Sequence, residues 1–191
     1  MTRDYLQLDY TSALHVDLHT PEMDALFTKA NIYEKYGVWP ATQHTGAPIE
    51  VPIELLAWKN RYKEVYFYEG KQIAEHGDWI IKGPCKEKYV KKPDAFQARY
   101  IPTRFEGKFR PLGWIRAMKN PFGKLIAMHF KNSNLPGDIQ YCLPDGYIAA
   151  VYDINNPFEL SPIRYFIFER AFIKSYRECT IHNRSCNYLS L

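Results

Sequence analysis

Long apolar runs are missing from this chain. No stretch approaches the ~18 residues that a membrane-spanning helix needs, so no membrane partner is expected. Cysteine is scarce: Cys85, Cys142, Cys179 and Cys186 are the four in 191 residues, irregularly spaced. That excludes a disulfide framework and makes reduced thiols in a cytoplasmic protein the simplest expectation. A dominant charge is missing too. Twenty-five Lys and Arg against 21 Asp and Glu leave a net charge of +4, too mild to call for a nucleic-acid partner. The first ten residues, MTRDYLQLDY, are polar and mixed, so no leader is expected there. No phosphate loop, dinucleotide glycine pattern, serine elbow or His-Glu-x-x-His run occurs, and the sequence implies no cofactor.

Aromatic residues are abundant, at 16% with 15 Tyr, and Tyr suits strands and half-wet packing surfaces. One helix is expected near the start. Thr20-Pro21-Glu22 combines a capping side chain, a preset first-turn φ and a favourable charge. Met23, Leu26, Phe27, Ala30 and Tyr33 then recur at helical spacing, with Gly37 to close a helix over 21–36. Residues 40–48 read as a loop. From Ile49 the pattern turns to strands: Val51, Ile53 and Leu55 alternate, residues 65–68 follow, and Gly70 and His76-Gly77-Asp78 supply turns. Trp79–Ile81 is a short apolar strand closed by Gly83-Pro84. Pro93 opens a short helix through Tyr100.

The downstream half repeats this order. LLAWKN (55–60) is echoed by IRAMKN (115–120), GDWIIKG (77–83) by DGYIAAV (145–151), and PDAFQARY (93–100) by ERAFIKSY (169–176). Two related units are therefore expected rather than a solenoid.

The run Gly77-Asp78-Trp79-Ile80-Ile81-Lys82-Gly83, then Tyr89, Pro93-Asp94, Phe96 and Tyr100, resembles a small domain of phage, prophage and bacterial proteins. That family is named for its Pro-Gly-Asp-Tyr-Gly motif (PGDYG). The likeness covers about residues 49–102. His76 stands where the family prefers Pro, and Pro84-Cys85-Lys86 replaces a more Gly-rich turn. The resemblance implies a fold and a phage or bacterial setting, but no catalytic residue. Physically, Gly77 can take positive φ and Asp78 can bond a downstream amide in the turn. Phe96 and Tyr100 form a stripe one helical turn apart. These residues read as scaffold.

Several groups could carry chemistry. His15, Asp17 and His19 alternate and would share one face of a strand, a spacing open to metal. Cys179, His182 and Cys186 could seat three zinc ligands. Cys85 is the best-placed thiol, since Lys82, Lys86 and Lys88 could lower its pKa. His76 would lie about 20 Å away along an extended chain, too far to serve as its base. Lys82, Lys86, Lys88, Lys91, Lys92 and Arg99, interleaved with Trp79, Tyr89 and Phe96, could track a phosphate backbone and stack bases. Glu87 and Asp94 dilute that patch.

The expected fold is α+β: an N-terminal helical segment (1–45), a PGDYG-like lobe (46–104) and a degenerate repeat lobe (105–191), each lobe ending in a short helix. The expected function is a non-catalytic interaction or accessory module. Its partner would be another protein or a second copy, engaged through Tyr62, Tyr66 and Tyr68. One alternative is an enzyme acting on a nucleotide or other small ligand in a cleft between the lobes; another is a weak nucleic-acid binder.

Overall fold

The computed structural model describes residues 2–129 and 139–179. In chain order the strands begin with β1 (Thr2–Tyr5) and β2 (Leu14–His15), separated by a single 3-10 turn, followed by helix α1 (Pro21–Lys29). Next come β3 (Asn31–Lys35), β4 (Trp39–Gln43), β5 (Ile49–Lys59), β6 (Lys63–Ala74), β7 (Trp79–Lys82) and β8 (Lys88–Lys91). Helix α2 (Pro93–Gln97) leads to β9 (Tyr100–Pro102), β10 (Lys108–Pro111), β11 (Trp114–Lys119), β12 (Ile126–His129) and β13 (Ile139–Cys142). The described chain finishes with β14 (Tyr147–Tyr152), β15 (Arg164–Ile167), α3 (Glu169–Ser175) and β16 (Tyr176–Glu178).

The α+β expectation is overturned: the protein is mostly β, 47% strand. Thr20 does cap α1, its hydroxyl accepting from the Met23 amide at 3.3 Å, with Pro21 in the first turn. The helix nevertheless lasts only nine residues and does not lead the fold. Residues 31–35 leave it to become β3, paired with β11 on one side and β16 on the other. Two ladders of backbone hydrogen bonds outweigh the modest helical preference of Ile32 and Tyr33, both of which suit a strand. Nor does a unit end in a helix. After α2 and after α3 the chain returns to the sheet as β9 and β16.

Four sheets result. Two have five strands, β8-β7-β4-β10-β9 and β15-β14-β11-β3-β16, and two have three, β1-β6-β5 and β13-β12-β2. The arrangement is propeller-like, although none of the sheets is a run of four consecutive strands as a propeller blade is.

The two five-stranded sheets match strand for strand and register for register. Trp79 pairs with Lys91 as Tyr147 pairs with Ile167, and Ile81 with Tyr89 as Ala149 with Tyr165. Tyr100 pairs with Pro111 as Tyr176 pairs with Lys35. Each sheet also has a hairpin, β5-β6 or β12-β13, inserted between equivalent strands. Gly37 and Gly113, at φ +102° and +120°, make the tight passages from β3 to β4 and from β10 to β11. Beside them, Tyr36 N–H donates to the Ser175 carbonyl and Leu112 N–H to the Arg99 carbonyl, both at 2.8 Å.

Residues 77–83 and 145–151 thus fall on equivalent strands and the turns before them, and 93–100 and 169–176 on the equivalent helices α2 and α3 and the starts of β9 and β16. LLAWKN and IRAMKN do not: the first lies in the β5-β6 hairpin, the second in the central strand of a five-stranded sheet. The strand set also crosses the boundaries read from sequence, because β3 and β4, both before residue 46, belong to different five-stranded sheets.

Among the described residues three clusters form the core. Leu18, Met23 and Phe27 pack on Ile126, Ile148 and Phe166, each such buried side chain contributing about 1.5–3 kcal/mol. Buried Arg164 fixes α1 to this sheet. It donates to the Leu18 carbonyl, pairs with Asp24 at 2.5 Å, and lies 4.9 Å from the Phe27 ring centre. Leu55, Phe67, Cys85, Ile115 and Phe172 make the second cluster. In the third, around Trp39 and Ile81, Phe96 stacks on Trp79 at 4.1 Å and on Tyr100 at 4.8 Å. Its counterpart Phe172 stacks on Tyr147 at 3.7 Å and on Tyr176 at 5.5 Å.

Candidate functional site

A cleft of about 480 Å³ lies where the two matched sheets face one another. Equivalent residues from both line it: Tyr89 and Tyr165, Tyr100 and Tyr176, Ala95 and Ala171. The backbone is near-symmetric here, but the chemistry is not. Lys91 stands where the other sheet has Ile167, Arg99 where it has Ser175, and Lys35 where it has Pro111. One side of the cleft is therefore cationic, while Ile167 and Phe168 keep the other apolar.

Lys35 ends β3 at the seam between the sheets and is half-buried. Its ammonium sits 4.5 Å from the centre of the Trp39 ring, 5.9 Å from Tyr176 and 6.0 Å from Tyr100. Loss of water around it, with the like charges of Lys91 and Arg99, pushes its pKa down to about 8; Glu87 opposes the change. Lys91 and Arg99 stay exposed at the mouth. Even so, neighbouring protein lowers the pKa of Lys91 by desolvation, and Arg99 lowers it further. Tyr165 and Tyr176 line the cleft together, and burial raises the pKa of both. Tyr100 is pushed up to about 12 by burial.

Glu87 is the buried carboxyl of the site, 1% exposed. The turn between β7 and β8 wraps around it. Cys85 N–H donates to its Oε2 at 2.7 Å, the Tyr89 hydroxyl lies 3.4 Å from Oε1, and Gly83 N–H donates to its backbone carbonyl at 2.8 Å. Gly83 leaves the room for it, since a Cβ there would stand 2.0 Å from Oε1. Desolvation raises the Glu87 pKa despite these donors.

The residues singled out in sequence are scattered relative to this cleft. Tyr89 lines it, half-buried. Trp79 packs against Phe96 and Phe109. Lys82 and Lys88 are exposed partners across β7 and β8, one residue out of register from the Trp79, Tyr89 and Lys91 face. Lys86 pairs with Glu64 at 2.8 Å, so the basic run is split among two faces and an ion pair. His15 belongs to β2, but Asp17 and His19 lie beyond it, and Asp17 accepts from the His19 amide at 2.8 Å. Among the described residues no three His, Cys, Asp or Glu side chains are grouped to hold a metal ion. Cys179 N–H donates to the Ile32 carbonyl at 2.8 Å. His182 and Cys186 lie outside the described residues.

Cys85 behaves opposite to its expectation. It is buried at 1% exposure, and burial, with the nearby Glu87 charge, raises its pKa to about 11. The Lys82, Lys86 and Lys88 side chains are exposed and do not offset this. Cys142 is pushed up to about 12 by the same desolvation. Asp78 is a scaffold residue, but it accepts from the upstream amide of Glu75, at 2.9 Å, rather than from a downstream one, and Lys92 lies 3.1 Å away. Of the three tyrosines expected on an interaction face, Tyr62 and Tyr68 are exposed while Tyr66 is buried.

No family model, curated protein or solved structure matches this chain. The PGDYG likeness and the prophage setting read from sequence gain no support from those comparisons. No described helix is long and apolar enough to cross a membrane.

Proposed function

We propose that this protein is a non-catalytic binder of a small anionic ligand with a flat or apolar body, held in the cleft between the two matched sheets. The observation that carries this reading is the set of substitutions that break the symmetry. A duplicated backbone needs no charge at these positions, because Ile167, Ser175 and Pro111 occupy the equivalent places in the other sheet. Lys35, Lys91 and Arg99 are gathered on one wall of the cleft, where desolvation and mutual repulsion lower the pKa of both lysines, and that arrangement costs stability which a bound anion would offset. Apolar walls with a few convergent polar groups are the usual make-up of a small-ligand site. Lys91 and Arg99 would hold the anion, Arg99 through its two-pronged guanidinium. Tyr165, Phe168 and Ile167 would receive the flat part.

The test is thermal unfolding with 1-naphthyl phosphate, inorganic phosphate and naphthalene-1-methanol as probes. The aryl phosphate should raise Tm more than either fragment, and Lys91→Gln or Arg99→Gln should remove most of that gain. A Tm indifferent to all three probes, or a gain that survives both substitutions, refutes the proposal.

A further inference from the structure

We propose that Lys35 is a nucleophilic amine that captures a carbonyl group of the anionic ligand as an imine, while Lys91 and Arg99 hold the anion. This rests on the preceding reading of the cleft as an anion site and adds the reactive group and the ligand class: an aldehyde or ketone carrying a phosphate or carboxylate.

Nothing in the fold asks for lysine at this place. The matched position in the first sheet holds Pro111, a fully buried apolar residue paired across the sheet with Tyr100 just as Lys35 is paired with Tyr176. A fold that accepts Pro at one end of its symmetry does not require an ammonium at the other. The Lys35 ammonium also lacks what a structural lysine has. Among the described residues its neighbours are three aromatic rings, and it makes no ion pair. The groups that act on its charge are the cations Lys91 and Arg99 and the single carboxyl of Glu87, with the Tyr100, Tyr165 and Tyr176 hydroxyls lining the same cleft. Such surroundings lower its affinity for a proton. With a pKa of about 8, roughly a tenth of the molecules carry a neutral amine at pH 7, against fewer than about one in a thousand for an ordinary lysine. Desolvation beside other cations is the established way to make a lysine nucleophilic.

The chemistry balances with the groups present. The Nζ lone pair forms a bond to the carbonyl carbon, the carbonyl π-electrons move to oxygen, and a proton passes from nitrogen to that oxygen to give a carbinolamine. Protonation of the hydroxyl lets it leave as water, the nitrogen lone pair closes the C=N bond, and nitrogen loses its last proton if the imine is to be neutral. Amine and carbonyl become imine and water, with no oxidant or reductant. Water at the cleft mouth, where Lys91 and Arg99 are exposed, carries those protons.

Pyridoxal 5′-phosphate is the probe, since it carries an aldehyde, a flat ring and a phosphate; pyridoxine 5′-phosphate, which has an alcohol in place of the aldehyde, is its non-reacting counterpart. The full chain is incubated with the aldehyde at pH 7.5, reduced with borohydride and mapped by peptide mass. Lys35 should be labelled roughly tenfold more than any exposed lysine. Pyridoxine 5′-phosphate should protect it, and Lys91→Gln with Arg99→Gln should cut the labelling several-fold. Lys35→Met should keep calorimetric binding of the alcohol while losing the imine absorbance of the aldehyde. If the alcohol binds but Lys35 is labelled no faster than surface lysines, the imine inference is overturned and the anion site stands. If neither compound binds, both fall. The labelling experiment uses the unaltered protein, so a variant that fails to fold leaves the inference open to refutation.

Discussion

Replacing Lys35 by Met should make the protein more stable at pH 7. The ammonium is half-buried at the cleft wall, and its pKa falls from 10.5 to about 8. At about 1.36 kcal/mol per tenfold change in proton affinity, holding it charged costs on the order of 3 kcal/mol. Attraction to the Trp39 ring, 4.5 Å away, returns about 0.5–1 kcal/mol. Solvent reaching the cleft screens part of the remainder. Methionine keeps a stem of similar length against the same rings without the charge, so the net gain should be about 1–2 kcal/mol.

The pH dependence separates this cause from simple repacking. Below pH 8 both folded and unfolded wild-type chains carry the proton, and the full penalty is present. Between about pH 8 and 10.5 the folded chain has released it while the unfolded chain still binds it, so wild-type stability rises with pH. The advantage of Lys35→Met should therefore shrink across that window. Tyr100, Tyr165 and Tyr176 have raised pKa values when folded, so they lose stability above pH 10 as their unfolded counterparts ionise. They do so in both proteins and drop out of the difference. Urea unfolding followed by tryptophan fluorescence, from pH 7 to 9.5, measures it. A variant less stable than wild type at pH 7, or a difference that stays constant with pH, would refute the reasoning.

Two further outcomes are expected. Gly83→Ala would place a Cβ 2.0 Å from Glu87 Oε1 and 2.4 Å from its carboxyl carbon, forcing the carboxylate out of the turn and stripping the Cys85 amide of its acceptor; chemical denaturation should show a loss of about 2–4 kcal/mol, and a neutral result would mean the turn does not depend on that carboxylate. Cys85 and Cys142, buried and with pKa values of about 11 and 12, should resist iodoacetamide at pH 8 and react once urea unfolds the chain; rapid modification of either in native protein would contradict their burial.

Local chemistry was legible in the sequence where a single residue type imposes it. Thr20-Pro21 starts a helix because a hydroxyl and a fixed φ act within one turn. Trp79–Ile81 lies within a strand, and Gly77 takes φ +91°. The equivalences of Trp79 with Tyr147 and of Phe96-x-x-x-Tyr100 with Phe172-x-x-x-Tyr176 could be read because stacked rings need the same spacing in both units. Where the pattern is set by distant partners, it could not be read. Ile32–Lys35 has helical spacing, yet β11 and β16 claim its backbone from at least 80 and 141 residues away. Cys85 sits among lysines along the chain, but it is packed against Leu55, Phe67 and Phe172 in space, and surroundings rather than sequence neighbours set its pKa. Lys35, Lys91 and Arg99 come to line one cleft only once strands from opposite ends of the chain close the second sheet and bring it to face the first. Turn, cap and ring spacing belong to neighbouring residues and were written in the chain; burial, pairing and the meeting of charges depend on sequence-distant surfaces, and only the tertiary structure decided them.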